Sequence, residues 1–307
     1  METAVVRISV IIPTRNRPDD LRRCLAGLTE CAQRLASTPG TVLHEVVVID
    51  DASTRPDALS PVHASDLPEV VLYNRERMGA GSSRARAVSA ASGDVLAFLD
   101  DDAVPRGDWL TVAGSVTEQR PAITGRVLRF DTGLVSSARQ ARYDDRYRSL
   151  SAGDPVGFFA GGNSAVLASA FESVGGFSRS GVGGDNSLAE ALAGNDRPVR
   201  FEPELVIAHR NGKGMRRAIL DSWSSGRDHG QALTIPSAIQ FVRASGLGDS
   251  PAVRGFNRVL GVVHAAGRMG VRQGSSRSTG RVPSPGSAPE RSRIPDCPDI
   301  DAVVVNR

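Results

Sequence analysis

Three short, β-branched runs in the first third of the chain each end abruptly in polar side chains, and this pattern constrains the fold most. Val5–Ile12 closes at Pro13 and is followed by Thr14 to Arg17. His44–Ile49 closes in Asp50 and Asp51, and Val95–Leu99 closes in Asp100, Asp101 and Asp102. Runs this apolar and this short read as strands buried on both faces of a sheet. Between them lie a helical stretch from Asp19 to Ala36 with Leu21, Leu25, Leu28 and Leu35 on one face, and a third short strand, Glu69–Tyr73. A small-residue helix then opens at Gly79–Gly81 and runs to Ser92. This β-α-β rhythm predicts an α/β fold, a mostly parallel sheet flanked by helices. Such sheets bind ligands outside the carboxyl ends of their strands, so the three polar clusters are expected in one cleft.

The acids of the third cluster repel one another, and a divalent cation offsets that repulsion well. Mg²⁺ and Mn²⁺ take carboxylate oxygens and keep open positions for diphosphate oxygens. A solvated turn, or the N-cap of a following helix, is the plainer alternative. Arg84 lies near a helix start, where free backbone N–H groups add to its attraction for phosphate. The plainer reading of Arg84 and Arg86 is a solvated helix face.

The segments ISVIIPTRNRPDDLRRCLAGL, EVVVIDDAST and MGAGSSRARAVSAASGDVLAFLDDDAVP, in that order, resemble the family 2 glycosyltransferases of GT-A fold. The resemblance is close from Val5 to Asp108 and looser as far as His209. It implies a GT-A sheet with a fused acceptor-binding lobe and a helical C-terminal extension. It also implies an inverting sugar transfer from a UDP-, GDP- or dTDP-type nucleotide-diphosphate-sugar to an acceptor hydroxyl, with Mn²⁺ or Mg²⁺. By the same resemblance Pro13, Thr14 and Arg15 would line the nucleobase and ribose, and Asp51 would bond the base. Arg84 would meet the diphosphate and Asp101 would face the ribose or sugar. Asp102, helped by Asp100, would hold the metal. Two positions depart from the family pattern: Arg15 stands where an aromatic is usual, and Ala85 replaces an asparagine.

Further along, Phe159–Ala165 looks like the family's small-residue turn beside the donor sugar. Gly183–Leu188 corresponds to the stretch that carries the general base, here Asp185, with Gly184 in place of the usual glutamate. An N-cap role on a helix beginning near Asn186 is the plainer reading of Asp185. His209 closes a strand, Val206–His209, where relatives often place a metal or diphosphate ligand. A satisfied polar group at a strand end is its alternative.

The expected organisation is a nucleotide-sugar-binding half over 1–103 and an acceptor or catalytic half over 104–212 that closes over the cleft. A helical extension follows over 213–273, and then a Ser-, Pro-, Gly- and Arg-rich tail over 274–307 that is expected to be disordered. Expected partners are the nucleotide sugar and a glycan, lipid-linked or small-molecule acceptor. No run approaches the roughly 18 apolar residues of a membrane span. A net charge of +3 is too small to argue for nucleic acid, and the tail arginines lack aromatic partners. Cys24, Cys31 and Cys297 fit no metal-ligand spacing, which points to a reduced, cytoplasmic setting, with peripheral membrane association open. Gly212-Lys213-Gly214 lacks P-loop spacing, and Gly79-x-Gly81 lacks the third glycine of a dinucleotide fingerprint. Two rival functions remain: a non-catalytic nucleotide-sugar binder, and a sugar nucleotidyltransferase. The second would want a glycine-rich basic signature after the first strand, which Thr14–Arg17 is not.

Overall fold

A computed structural model describes residues 5–56, 67–177, 184–212, 214–228, 232–270 and 301–304. The chain divides into two compact units, one of residues 1–212 with 300–307, the other of residues 213–299.

The first unit is built on a nine-stranded sheet. Its nucleus is four parallel strands: β1 (Val6–Thr14), β2 (Thr41–Asp50), β3 (Glu69–Tyr73) and β4 (Val95–Leu99), in the order β3-β2-β1-β4. Alternate residues diverge to the two faces, as strand geometry requires. Ile8, Val10 and Ile12 of β1 enter one core with Val46, Val48, Val95, Ala97 and Leu99. Ile11 enters the other core with Val47, Ile49, Leu96 and Phe98. Helix α1 (Pro18–Leu35) begins with a proline in its first turn and two acids, Asp19 and Asp20, which suit a helix start. Its leucines Leu21, Leu25, Leu28 and Leu35 cover the first core. Helix α2 (Ala80–Ala90) leads into β4 and places Ala87 in the second core. There Phe98 sits edge-on to Phe159 and Phe177, at centroid distances of 5.5 and 5.3 Å.

Residues 103–212 extend this sheet within the same unit. The elements are β5 (Ala103–Pro105), α3 (Trp109–Ala113), β6 (Ala122–Arg129), α4 (Leu134–Tyr147), β7 (Asn163–Leu167), α5 (Ala168–Ser173), α6 (Gly184–Gly194) and β8 (Arg200–His209). The strands continue the order as β5-β8-β6-β7-β4, with β4/β7, β6/β7 and β5/β8 antiparallel. Asn163 joins the layers from full burial. It accepts from Trp109 Nε1 at 2.8 Å and donates to the carbonyls of Leu205 and Arg126, each at 2.9 Å.

The second unit holds α7 (Met215–Asp228), α8 (Ile235–Ala244) and α9 (Pro251–Met269), the helical stretch expected from the sequence. Thr234 and Ser250 cap α8 and α9 by accepting from Ser237 N and Val253 N. In the segment expected to be disordered, Asp301–Val304 forms β9, antiparallel to β3 at the sheet edge. Its β-branched Val303 and Val304 suit an edge strand, and the surrounding Ser- and Pro-rich composition hid them. Residues 274–300 lie outside the described residues, as does Lys213.

Candidate active site

Parallel register brings the polar clusters to one edge of the sheet. Thr14 pairs with Asp50 and Asp50 with Tyr73, while Ile11 of β1 pairs with Phe98 of β4. Two antiparallel pairings then supply the rest of the site. Leu99 pairs with Asn163, so the Gly161-Gly162 turn lies beside Asp100. Ala103 pairs with His209, so the end of β8 meets Asp102.

The three acids after β4 are each met by a cation of the chain. Arg17 Nη1 donates to Asp101 Oδ1 at 2.9 Å and to Asp102 Oδ2 at 3.1 Å. Thr14 Oγ1 donates to Asp101 Oδ2 at 2.9 Å. Arg84 Nη2 donates to Asp100 Oδ1 at 2.6 Å, and its Nη1 lies 3.5 Å from Asp185 Oδ2. Burial raises the Asp101 carboxyl to about 6, with the Arg17 charge opposing the rise and Asp102 adding to it. Arg17 was not among the residues singled out from sequence. Its pairing depends on how the turn after β1 folds back on β4, which no spacing announces.

Asp100, Asp102 and His209 offer ligand atoms that all lie within 4.8 Å of one another. His209 Nε2 is 2.9 Å from Asp102 Oδ1, and its Nδ1 is 3.0 Å from Asn211 Oδ1. Asn211 donates its Nδ2 to Gln140 Oε1 at 3.3 Å, with its Oδ1 toward the imidazole. Two carboxylates and one imidazole converging in this way could hold a metal ion. Asn211, two residues past the strand end, carried no sequence signal.

Asp185 is the second residue of α6, inside its first turn, where an acid favours the helix start without acting as its N-cap. Burial pushes its carboxyl above the ordinary range, opposed by Arg84 and by a bond from Gly161 N–H, while the Asp100 charge adds to the rise. The glycines of the adjoining turn follow from these contacts. A Cβ on Gly161 would collide with Asp185 Oδ2 and meet Arg84 Nη1 at 2.6 Å, and one on Gly162 would collide with Asp100.

Asp51 is largely used by its own chain. Oδ1 accepts from Asn74 Nδ2, Met78 N and Ser83 Oγ, and Oδ2 accepts from Gly79 N, at 2.7 to 3.1 Å. Three donors crowd onto Oδ1, while Oδ2, with two lone pairs, receives one of the four, so one position stays open on Oδ2. Burial pushes this carboxyl up, but the four donors outweigh it and hold it below the usual range. The bonds tie the Met78–Gly79 turn to the end of β2. Asp51→Ala is expected to cost about 2–4 kcal/mol, because buried donors lose their acceptor. Thermal or urea unfolding measures this, and a loss under about 0.5 kcal/mol would show that the network holds nothing. Pro13 and Thr14 are buried, Arg15 is half-buried, and the Arg15 charge acts on Asp50.

The family model described as "Glycosyl transferase family 2" matches residues 9–175. The Pre-mycofactocin glycosyltransferase of Mycobacterium tuberculosis is 26% identical over 214 residues, covering 66% of this chain and 42% of that protein. Glycosyltransferase AglE of Haloferax volcanii is 31% identical over 113 residues, 36% of this chain and 35% of that protein. The chain therefore spans less than half the length of these curated relatives. Among solved structures, the mannosyltransferase PcManGT from Pyrobaculum calidifontis, in complex with GDP-Man and Mn²⁺, superposes with a TM-score of 0.54 at 22% identity. The match covers 86% of this chain and 74% of that one, and is a likeness of fold.

Proposed function

The chain belongs to glycosyl transferase family 2 and has a GT-A fold, and from that premise we propose that it transfers a sugar with inversion from a nucleotide-diphosphate-sugar to an acceptor hydroxyl. The observation that carries this reading is the convergence of Asp100, Asp102 and His209 beside Arg84 and Asp185. A divalent cation held by Asp100, Asp102 and His209 would supply the positive charge that a diphosphate leaving group needs.

The chain's own residues do the rest. Pro13, Thr14 and Arg15, at the end of β1, line the nucleoside, and the remaining site on Asp51 Oδ2 accepts from the base. Asp101, held by Thr14 and Arg17, faces the ribose or the sugar. Arg84 stands between Asp100 and Asp185, so its guanidinium reaches both the diphosphate side and the base side of the cleft. Asp185 takes the acceptor hydroxyl's proton as that oxygen bonds to the anomeric carbon and the bond from that carbon to the diphosphate oxygen breaks. One base attacking through the acceptor from the face opposite the leaving group inverts the anomeric centre. The acceptor is a glycan, a lipid-linked glycan or a small molecule.

Thermal shifts with UDP, GDP and dTDP and their sugar conjugates, with and without Mn²⁺, test the donor site. A true donor at about 100 times its dissociation constant adds roughly 2.7 kcal/mol of stability. Absence of a shift with every nucleotide diphosphate, Mn²⁺ present, would overturn the reading.

A further inference from the structure

The helical unit lies beyond the residues matched by the family model, and its surface has a feature that sugar transfer does not use. Ile235, Ile239 and Val242 of α8 recur at helical spacing, as do Val262, Ala266 and Met269 of α9, and all six line an open groove of about 520 Å³. Its walls are almost wholly apolar, with Arg243 the charged residue on them. The side chains are well exposed: Ile235 is 67% accessible, Val262 53%, and Ile239 and Met269 50% each. Exposed aliphatic side chains gathered along one groove offer a docking surface.

Charge identifies what docks. Among residues 232–270 four arginines, Arg243, Arg254, Arg258 and Arg268, stand against one acid, Asp249. The sequence continues with Arg272, Arg277 and Arg281 before its next acid, Glu290. The whole chain is nearly balanced by contrast, with 37 basic residues and 34 acidic. Arg243 and Arg258 are themselves exposed. Apolar side chains bordered by arginine, with acids nearly excluded, are what an amphipathic helix presents to an anionic bilayer.

Two other occupants fit less well. A second copy related by a twofold axis would set this basic surface against itself, so like charges would meet. The chain's own segment 274–298 has only Val282 and Ile294 as large aliphatic side chains, too few to fill the groove. No helix among the described residues is long and apolar enough to cross a membrane, so the contact is interfacial.

We propose that the α8–α9 face of the helical unit binds a lipid surface carrying anionic head groups, with its aliphatic side chains entering the interfacial layer and Arg243 and Arg258 meeting lipid phosphates. Co-sedimentation of the full chain with vesicles tests this. One set is phosphatidylcholine alone, and the other has about one third of the lipid replaced by phosphatidylglycerol. The expected result is binding to the anionic vesicles, little to the neutral ones, and weakening as salt is raised. The double variants Ile239→Ser with Val262→Ser, and Arg243→Glu with Arg258→Glu, should each bind at least about tenfold more weakly. Both pairs are exposed, so their melting temperatures should stay at the wild-type value, which separates lost docking from lost folding. Equal binding by the wild type and both variants, or no binding to anionic vesicles, overturns the proposal. So does a wild-type dimer in sedimentation velocity that the serine variant converts to monomer, since a second copy would then cover the groove.

Discussion

Asp102→Asn is expected to lower turnover by about 10³-fold or more, and chelation of divalent metal by EDTA should do the same to the wild-type chain. Asp102 is one of three side chains whose ligand atoms converge within 4.8 Å, and its two oxygens point to different partners. Oδ1 faces His209 Nε2, and Oδ2 accepts from Arg17. An asparagine keeps the size and one acceptor oxygen but loses the charge, so the cation-binding set drops from two anionic ligands to one. The fold should survive, because Arg17 keeps its bond to Asp101 and His209 keeps its bond to Asn211. Turnover measured across a Mn²⁺ titration checks this, with a melting curve to confirm folding. The variant should need far more metal and reach a lower plateau. Full activity of either the variant or the EDTA-treated wild type would remove the metal from the mechanism.

The parallel nucleus and the position of the cleft were legible in the sequence because both follow from local rules. A β-branched run that stops at an acid is visible without tertiary information, and β1, β2, β3 and β4 lie where those runs lie. The strand end at His209 was legible for the same reason, since a polar residue closes an apolar run there.

The rest of the site depends on register. Like-charge repulsion among Asp100, Asp101 and Asp102 argued for a cation, but the structure shows that Arg17 and Arg84 already supply positive charge there. Repulsion alone therefore does not require a metal. The case rests on His209, which joins the two carboxylates only when β5 pairs with β8. The continuation of the sheet through β6 and β7 was hidden by antiparallel strands of mixed polarity, such as Asn163–Leu167, whose buried Asn163 and Ser164 look like loop residues in a sequence. The structured end of the tail was hidden by its neighbours' composition in the same way.

Asp185→Asn is expected to leave donor binding intact and to cut turnover by about 10²–10⁴-fold. A hydroxyl is a weak nucleophile near neutral pH, so the reaction needs a carboxylate that can take its proton while the new bond forms. Asp185 is about one third exposed and lies against Arg84, 3.5 Å from its Nη1. Burial holds its carboxyl above the ordinary aspartate range, which makes it a better proton acceptor than a free aspartate. The sign of the pH effect follows. As pH falls through that raised value the base becomes protonated, so kcat/KM should decline on the acid side at a higher pH than an unperturbed aspartate, about 3.9, would give. The variant should lose that limb of the profile. A purely structural role predicts something else. As an acid in the first turn of α6, Asp185 contributes through the helix dipole, and its amide would cost about 0.3–1 kcal/mol of stability with turnover unchanged. Donor affinity, melting temperature and the pH profile of the Asn variant, measured together, separate the two roles. Near wild-type turnover would remove Asp185 as the base. Two other acids of residues 104–212 are poorly placed to replace it: Glu190 is exposed on α6, and Asp154 already accepts from Ser151 N at 2.8 Å.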